Sequence, residues 1–211
     1  MTVKNLSAVL ISILFCASAY CQEASSGSIE QGKKYLAAGQ TGKAISEFSR
    51  VIDASPDSAW EAYYNRGIAH RRQGDVDDAI ADLTKALIIN PVCDDAYLYR
   101  AVAFRNKGMF DEAVVDLNHF IAVYPQNAEA YCNRGNAYAA AGRYDEALSD
   151  YARALKLKDD YPEVYLNRAN VYYYRQQYDQ AWEDVRTLRG MGGQAPSRFL
   201  NMLKAASGRE G

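Results

Sequence analysis

Several protein classes are excluded by what this 211-residue chain has little of. Its four cysteines, Cys16, Cys21, Cys93 and Cys132, are too few and too scattered for a disulfide framework. Its two histidines, His70 and His119, are far apart in sequence, so no cluster has metal-ligand spacing. Basic and acidic residues nearly balance at 24 against 26, which leaves no positive excess to pair with nucleic-acid phosphates. Five prolines, 14 glycines and 49% hydrophobic residues exclude collagen-like, mucin-like and disordered compositions. The glycine group Gly190-Met191-Gly192-Gly193 lacks the lysine and the preceding strand of a phosphate-cradling loop. Cys132 has no histidine at helical spacing to activate it. The expectation is a chain that is not an enzyme, with no metal, no cofactor and no nucleic-acid partner.

One apolar run, Leu6 to Phe15, is shorter than the roughly 20 residues that span a bilayer. It follows Lys4 and precedes Ala17-Ser18-Ala19, the pattern of a secretory signal peptide over 1–19 with cleavage after Ala19. Phe15 and Tyr20 precede Cys16 and Cys21, so the small residue that a lipid-modified cysteine needs before it is missing. The expected product is exported, periplasmic or secreted, and has no membrane span. Residues 20–28, with Ser25-Ser26-Gly27-Ser28, read as a flexible lead-in.

Tyrosine, by contrast, is abundant at 17 residues, and the chain repeats itself. Gly32, Gly67, Ala101, Gly135 and Ala169 are spaced 35, 34, 34 and 34, and Ala44, Ala79, Ala113, Ala147 and Ala181 keep that spacing. Tyr35, His70, Phe104, Tyr138 and Tyr172 form a further column, as do Phe48, Leu83, Leu117, Tyr151 and Val185. Steps of three and four residues, as in Tyr63, Gly67 and His70, put these side chains on one helical face. Gly39, Gly74, Gly108 and Gly142 mark the turn to a second helix, and Pro56, Pro91 and Pro125 its end. Each copy is therefore an antiparallel helix pair. Acid pairs at Asp77-Asp78, Asp111-Glu112 and Asp145-Glu146 open the second helices, where negative charge favours the helix dipole.

This order of small, aromatic, Gly, Ala, large apolar and Pro residues at a period of 34 resembles the tetratricopeptide repeat. The resemblance implies an all-α, right-handed α-solenoid of five helix-turn-helix repeats plus a C-terminal capping helix. The repeat region is expected over 29–193, in copies at about 25–59, 60–93, 94–127, 128–161 and 162–193. The cap is expected over 194–208, with Phe199, Met202, Leu203 and Ala206 as its apolar stripe. In the fourth copy Asp159 replaces the proline and Pro162 arrives three residues late, while Gln176 replaces the turn glycine of the fifth. A looser junction is expected there.

Four copies carry an arginine before the small residue and an aspartate 16 positions later: Arg66 and Asp82, Arg100 and Asp116, Arg134 and Asp150, Arg168 and Asp184. Antiparallel pairing brings these positions together, so each guanidinium is expected to bind a carboxylate through two parallel hydrogen bonds and fix the hairpin register.

The first helices of the copies are expected to line a concave groove. Candidate ligand-binding residues are Tyr64, Asn65, Arg71, Tyr99, Arg105, Asn133, Asn136, Asn167, Asn170, Tyr173 and Tyr174. Asn65, Asn133 and Asn167 fall in one column, similar to the asparagine ladder of O-linked N-acetylglucosamine transferases, whose amides can bind an extended peptide backbone. Glu61, Asp95, Glu129 and Glu163 stand where repeat domains that hold chaperone C-termini place basic residues, which argues against that ligand. The function expected is a non-catalytic scaffold that binds a protein or extended peptide in the groove, as a monomer or with weak self-association. The alternative is a structural module of a cell-envelope complex that contacts partners through its end faces or convex surface.

Overall fold

A computed structural model describes residues 26–209; the expected signal peptide lies outside the described residues. Eleven helices and no strand occur among the described residues. After α1 (26–37) come α2 (Thr41–Ala54), α3 (Trp60–Gln73), α4 (Val76–Ile89), α5 (Asp94–Lys107) and α6 (Phe110–Val123). Then follow α7 (Ala128–Ala140), α8 (Tyr144–Leu157), α9 (Pro162–Tyr174), α10 (Tyr178–Gly190) and α11 (Ser197–Ser207). The described residues form two compact units, one up to Ala96 and one from Tyr97 on.

In the first unit α3 packs against both α2 and α4. A Cβ added at Gly67 would lie 2.8 Å from Leu83 Cγ, so only glycine lets α3 approach α4 this closely. Arg72 donates to the Leu36 carbonyl at 2.8 Å, a tie from α3 to the end of α1. Asp77 and Asp78 lie in the first turn of α4, as their charge favours.

In the second unit α7 packs on α6 and α8, α9 on α8 and α10, and α11 on α10. Gly135 makes the same close approach as Gly67: a Cβ there would lie 2.7 Å from the Tyr151 ring. Phe199 and Leu203 of α11 are buried against Trp182, Val185 and Leu188 of α10, and the Trp182 indole N–H donates to Ser207 Oγ at 3.0 Å. Met202 and Ala206, expected in the same buried stripe, are exposed, because α11 rests on α10 along a narrower seam. The shifted Pro162 opens α9, where a missing N–H costs nothing, and Val164 beside it is fully buried with Tyr161 packed against the same cluster. The junction expected to be loose is thus a packed one.

Gln176 holds φ at 61°, in the left-handed region that glycine occupies at the other hairpin turns. A side chain there costs about 1 kcal/mol. Gln176→Gly should accordingly raise the melting temperature by a few degrees. Thermal denaturation followed by circular dichroism checks this, and an unchanged or lower midpoint would contradict it.

Candidate functional site

The arginines of the recurring pairs sit between a carboxylate and an aromatic ring, and two of them reach a third partner. Nε and Nη2 of Arg66 donate to the two oxygens of Asp82 at 2.7 and 2.8 Å. Arg100 binds Asp116 at 2.8 and 2.8 Å, Arg134 binds Asp150 at 2.8 and 2.8 Å, and Arg168 binds Asp184 at 2.9 and 2.6 Å. The guanidinium also lies over the ring three residues earlier: Tyr63, Tyr97, Tyr131 or Tyr165, with centroids 5.5 to 5.6 Å away. A column of tyrosines that reads as core thus stacks on charge. The hydrogen bonds to aspartate favour the charged guanidinium and raise Arg66, Arg134 and Arg168 above their ordinary range. Burial pushes the Asp184 carboxyl up, against the pull of Arg168.

A third donor reaches beyond the helix pair. Arg66 Nη1 donates to Ser49 Oγ of α2 at 2.9 Å, and Arg134 Nη1 to Asn118 Oδ1 of α6 at 2.6 Å. The sequence carries a signal for this tie in the column Ser49, Thr84, Asn118 and Ala152, polar in the first three copies and apolar in the fourth.

The expected groove residues divide sharply. In the first unit Asn65 is buried and its amide donates to the Glu61 carbonyl of its own helix at 2.8 Å, while Tyr64 and Arg71 are half-buried. In the second unit Asn170 donates to the Leu166 carbonyl at 2.8 Å. Asn136 Oδ1 accepts from both the Tyr151 hydroxyl, at 2.7 Å, and Asn167 Nδ2, at 2.9 Å. Of the expected asparagine ladder, Asn65 is therefore spent on its own helix and the Asn167 nitrogen on Asn136, ties that hold the helices to themselves and to each other. Asn133, Tyr99 and Arg105 are half-buried. Tyr173, expected on the groove, packs edge-on against Phe199 of α11 at a centroid distance of 6.0 Å. Of these residues only Tyr174 is exposed, at 61%.

What the second unit does present is an open cavity of about 300 Å³ between α7, α8 and α9. Its walls are the rings of Tyr144, Tyr151 and Tyr174 and the amides of Asn136, Asn167 and Asn170, with Ala139, Ala140 and Val171 leaving the room. Tyr144 and Tyr174 lie parallel, 3° apart with centroids 6.1 Å distant. Tyr144 opens α8 just after the turn, and Tyr151 stands in a column that spacing alone reads as core. The signal missed is that Tyr151 is the one hydroxyl in an otherwise apolar column, in the copy that carries Asn136 within its reach.

Cys132 borders this network, 3.8 Å from Asn136 Nδ2, and burial pushes its thiol up to about 12. A thiol that ionises more readily unfolded than folded makes stability fall as pH rises from 9.0 toward about 12, by at most ~1.4 kcal/mol per pH unit. Denaturant melts of Cys132→Ala between pH 8.5 and 9.5 should show a shallower fall than the parent. Equal slopes would contradict the assignment.

His70, Asp75 and Asp78 bring one donor atom each within 4.8 Å of one another across the Gly74 turn. Both aspartates are exposed, and they flank the N-terminus of α4, where the dipole favours carboxylates and opposes a cation. His70 Nδ1 stands 3.6 Å from Asp75 Oδ2 across the hairpin turn.

Helix pairs recurring at one period, four of them locked by the same Arg–Asp contact, define a helix-turn-helix repeat protein. Tetratricopeptide-repeat family models match residues 29–92, 70–119 and 117–149, and a TPR-repeat model matches 135–175. The chain belongs to the tetratricopeptide-repeat family, whose fold is that of protein–protein interaction scaffolds.

It is 41% identical over 61 residues to DnaJ homolog subfamily C member 3 of Mus musculus and 42% identical over 59 residues to that of Homo sapiens. These stretches cover 29% and 28% of this chain, and the match spans 12% of the length of each relative. Among solved structures it shares its fold with MamA from Desulfovibrio magneticus (TM-score 0.75, 17% identity, 80% of this chain and 95% of that one). A second is PilF of Pseudomonas aeruginosa (TM-score 0.72, 20% identity, 89% and 86%). No helix among the described residues is long and apolar enough to cross a membrane.

Proposed function

We propose that this protein is a non-catalytic scaffold that binds an extended segment of a partner protein on the face formed by α7 and α9. The observation that carries this reading is the open cavity beside Tyr144 and Tyr174, walled by aromatic rings and amides on rigid helices. Stiff amphipathic rings give contact area at low entropic cost, and Tyr174 is already exposed for it. The signal-peptide pattern of residues 1–19 supports export, so the partner would share an extracytoplasmic compartment. N-terminal sequencing of the cell-derived protein tests that part: a mature start at Tyr20 is expected, and an intact Met1 would contradict it.

The binding face is tested by paired charge insertions. Ala140→Arg fills the cavity mouth from an exposed helix end, whereas Val115→Arg changes an exposed side of α6 (65% exposed). Capture of partners from an extract of the native cells should fall at least about tenfold with Ala140→Arg and persist with Val115→Arg. The reverse pattern would overturn the groove reading in favour of assembly through the outer surface.

A further inference from the structure

The cavity between α7, α8 and α9 has a chemical preference of its own. The nitrogens of its three amides are all turned toward protein: Asn170 Nδ2 to the Leu166 carbonyl, Asn167 Nδ2 to Asn136 Oδ1, and Asn136 Nδ2 to Cys132 Sγ. Asn136 Oδ1 is filled by two donors. The oxygens Asn167 Oδ1 and Asn170 Oδ1 accept no bond among the described residues, and both residues line the cavity. Each of these nitrogens keeps a second N–H, but the two oxygens are the amide acceptors to which no donor among the described residues is bound.

The rest of the surroundings has the same sign. Tyr174 and Tyr144 offer the negative faces of two parallel rings. Ala139 and Ala140 belong to the last turn of α7, and Val171 and Tyr174 to the last turn of α9, so two negative helix ends face the cavity against the one positive end of α8. No charged side chain lines it. Arg175, next to Tyr174, is paired with Asp145. Near the floor, Glu163 and Arg105 act on Tyr151 in opposite senses.

Resting on the proposed binding face, we infer that this cavity is a subsite for an arginine side chain of the bound segment. The planar guanidinium stacks on Tyr174 and donates to Asn167 Oδ1 and Asn170 Oδ1. Its flat five-donor fork suits two oxygens beside a ring better than the compact, strongly hydrated lysine ammonium does.

The test uses the full chain, labelled with 15N, and four small probes at millimolar concentration: the N-acetyl amides of arginine, lysine, leucine and glutamate. The arginine probe should shift the side-chain amide resonances of Asn167 and Asn170 saturably, with lysine binding at least about threefold more weakly and leucine and glutamate leaving them unmoved. Tyr174→Leu keeps apolar area but removes the π face, and should weaken arginine binding about fivefold with an unchanged melting temperature. Leucine or glutamate binding as well as arginine, no saturable shift with arginine, or indifference to Tyr174→Leu would each overturn the assignment. If Ala140→Arg blocks partner capture while the arginine probe shows no preference, the binding face stands and the arginine subsite fails. If capture is indifferent to Ala140→Arg, the face itself fails.

Discussion

Arg134→Ala should lower stability by about 3–5 kcal/mol, the cost of stranding a buried carboxylate. Asp150 is 5% exposed, and Arg134 supplies both of its hydrogen bonds from the facing helix. The same truncation removes the bond to Asn118 and the charge over the Tyr131 and Tyr138 rings. For a chain of this size the midpoint should drop on the order of 10 °C. The size of the loss does not mean that the pair is strongly stabilising on balance, since taking two charges out of water offsets much of their attraction. Arg134→Met/Asp150→Leu should therefore recover more than half of the deficit. Denaturant titration of the single and double variants measures both quantities. A single-variant loss below about 1 kcal/mol would mean that Asp150 finds another donor or water, and the register-fixing role would fall.

Trp182→Ala should cost a similar amount, about 3–5 kcal/mol, by a different route. The indole is 1% exposed and lies at the centre of the α10–α11 seam with Val185, Leu188, Phe199 and Leu203. Removing it opens a cavity that these neighbours cannot close, because Phe199 is held against Tyr173 on its other side. The loss should be local as well as global. Amide exchange in α11 should accelerate far more than in α7 or α8, since α11 packs on α10 through little else. Trp182→Phe, which gives up the bond to Ser207 but keeps most of the volume, should lose much less. Equal losses for the two variants would assign the seam to the hydrogen bond instead of the packing.

The repeat architecture was legible because it depends on properties that a one-dimensional pattern preserves. A small residue opposite a large one, as at Gly135 and Tyr151, is recorded by spacing alone. So is an arginine 16 residues before an aspartate, because the hairpin geometry leaves them nowhere else to meet. The candidate site was less legible, since it turns on which way a short amide points. Asn65 and Asn133 share a column, yet the first is buried on its own helix carbonyl. Asn167 is engaged by Asn136, a partner that exists in only two copies at that position. Tyr173 and Tyr174 are adjacent and equally aromatic, and a helical rotation of one residue sends the first onto α11 and leaves the second outside. No residue type records that choice; the presence of Phe199, twenty-six positions beyond Tyr173, decides it.

The two kinds of arginine contact have different fates when such a chain changes length. The bond to aspartate is closed within a single copy, so duplicating or deleting 34 residues carries the lock along intact. The bond from Arg66 to Ser49, or from Arg134 to Asn118, spans two copies and must be found again at every new border. An inserted copy would therefore arrive already folded to its own register but would join its neighbours only if the residue it meets can accept a hydrogen bond. Ala152, which cannot accept with its side chain, marks the border where growth would have had to rely on something else, and there Asn136 and Asn167 make the connection.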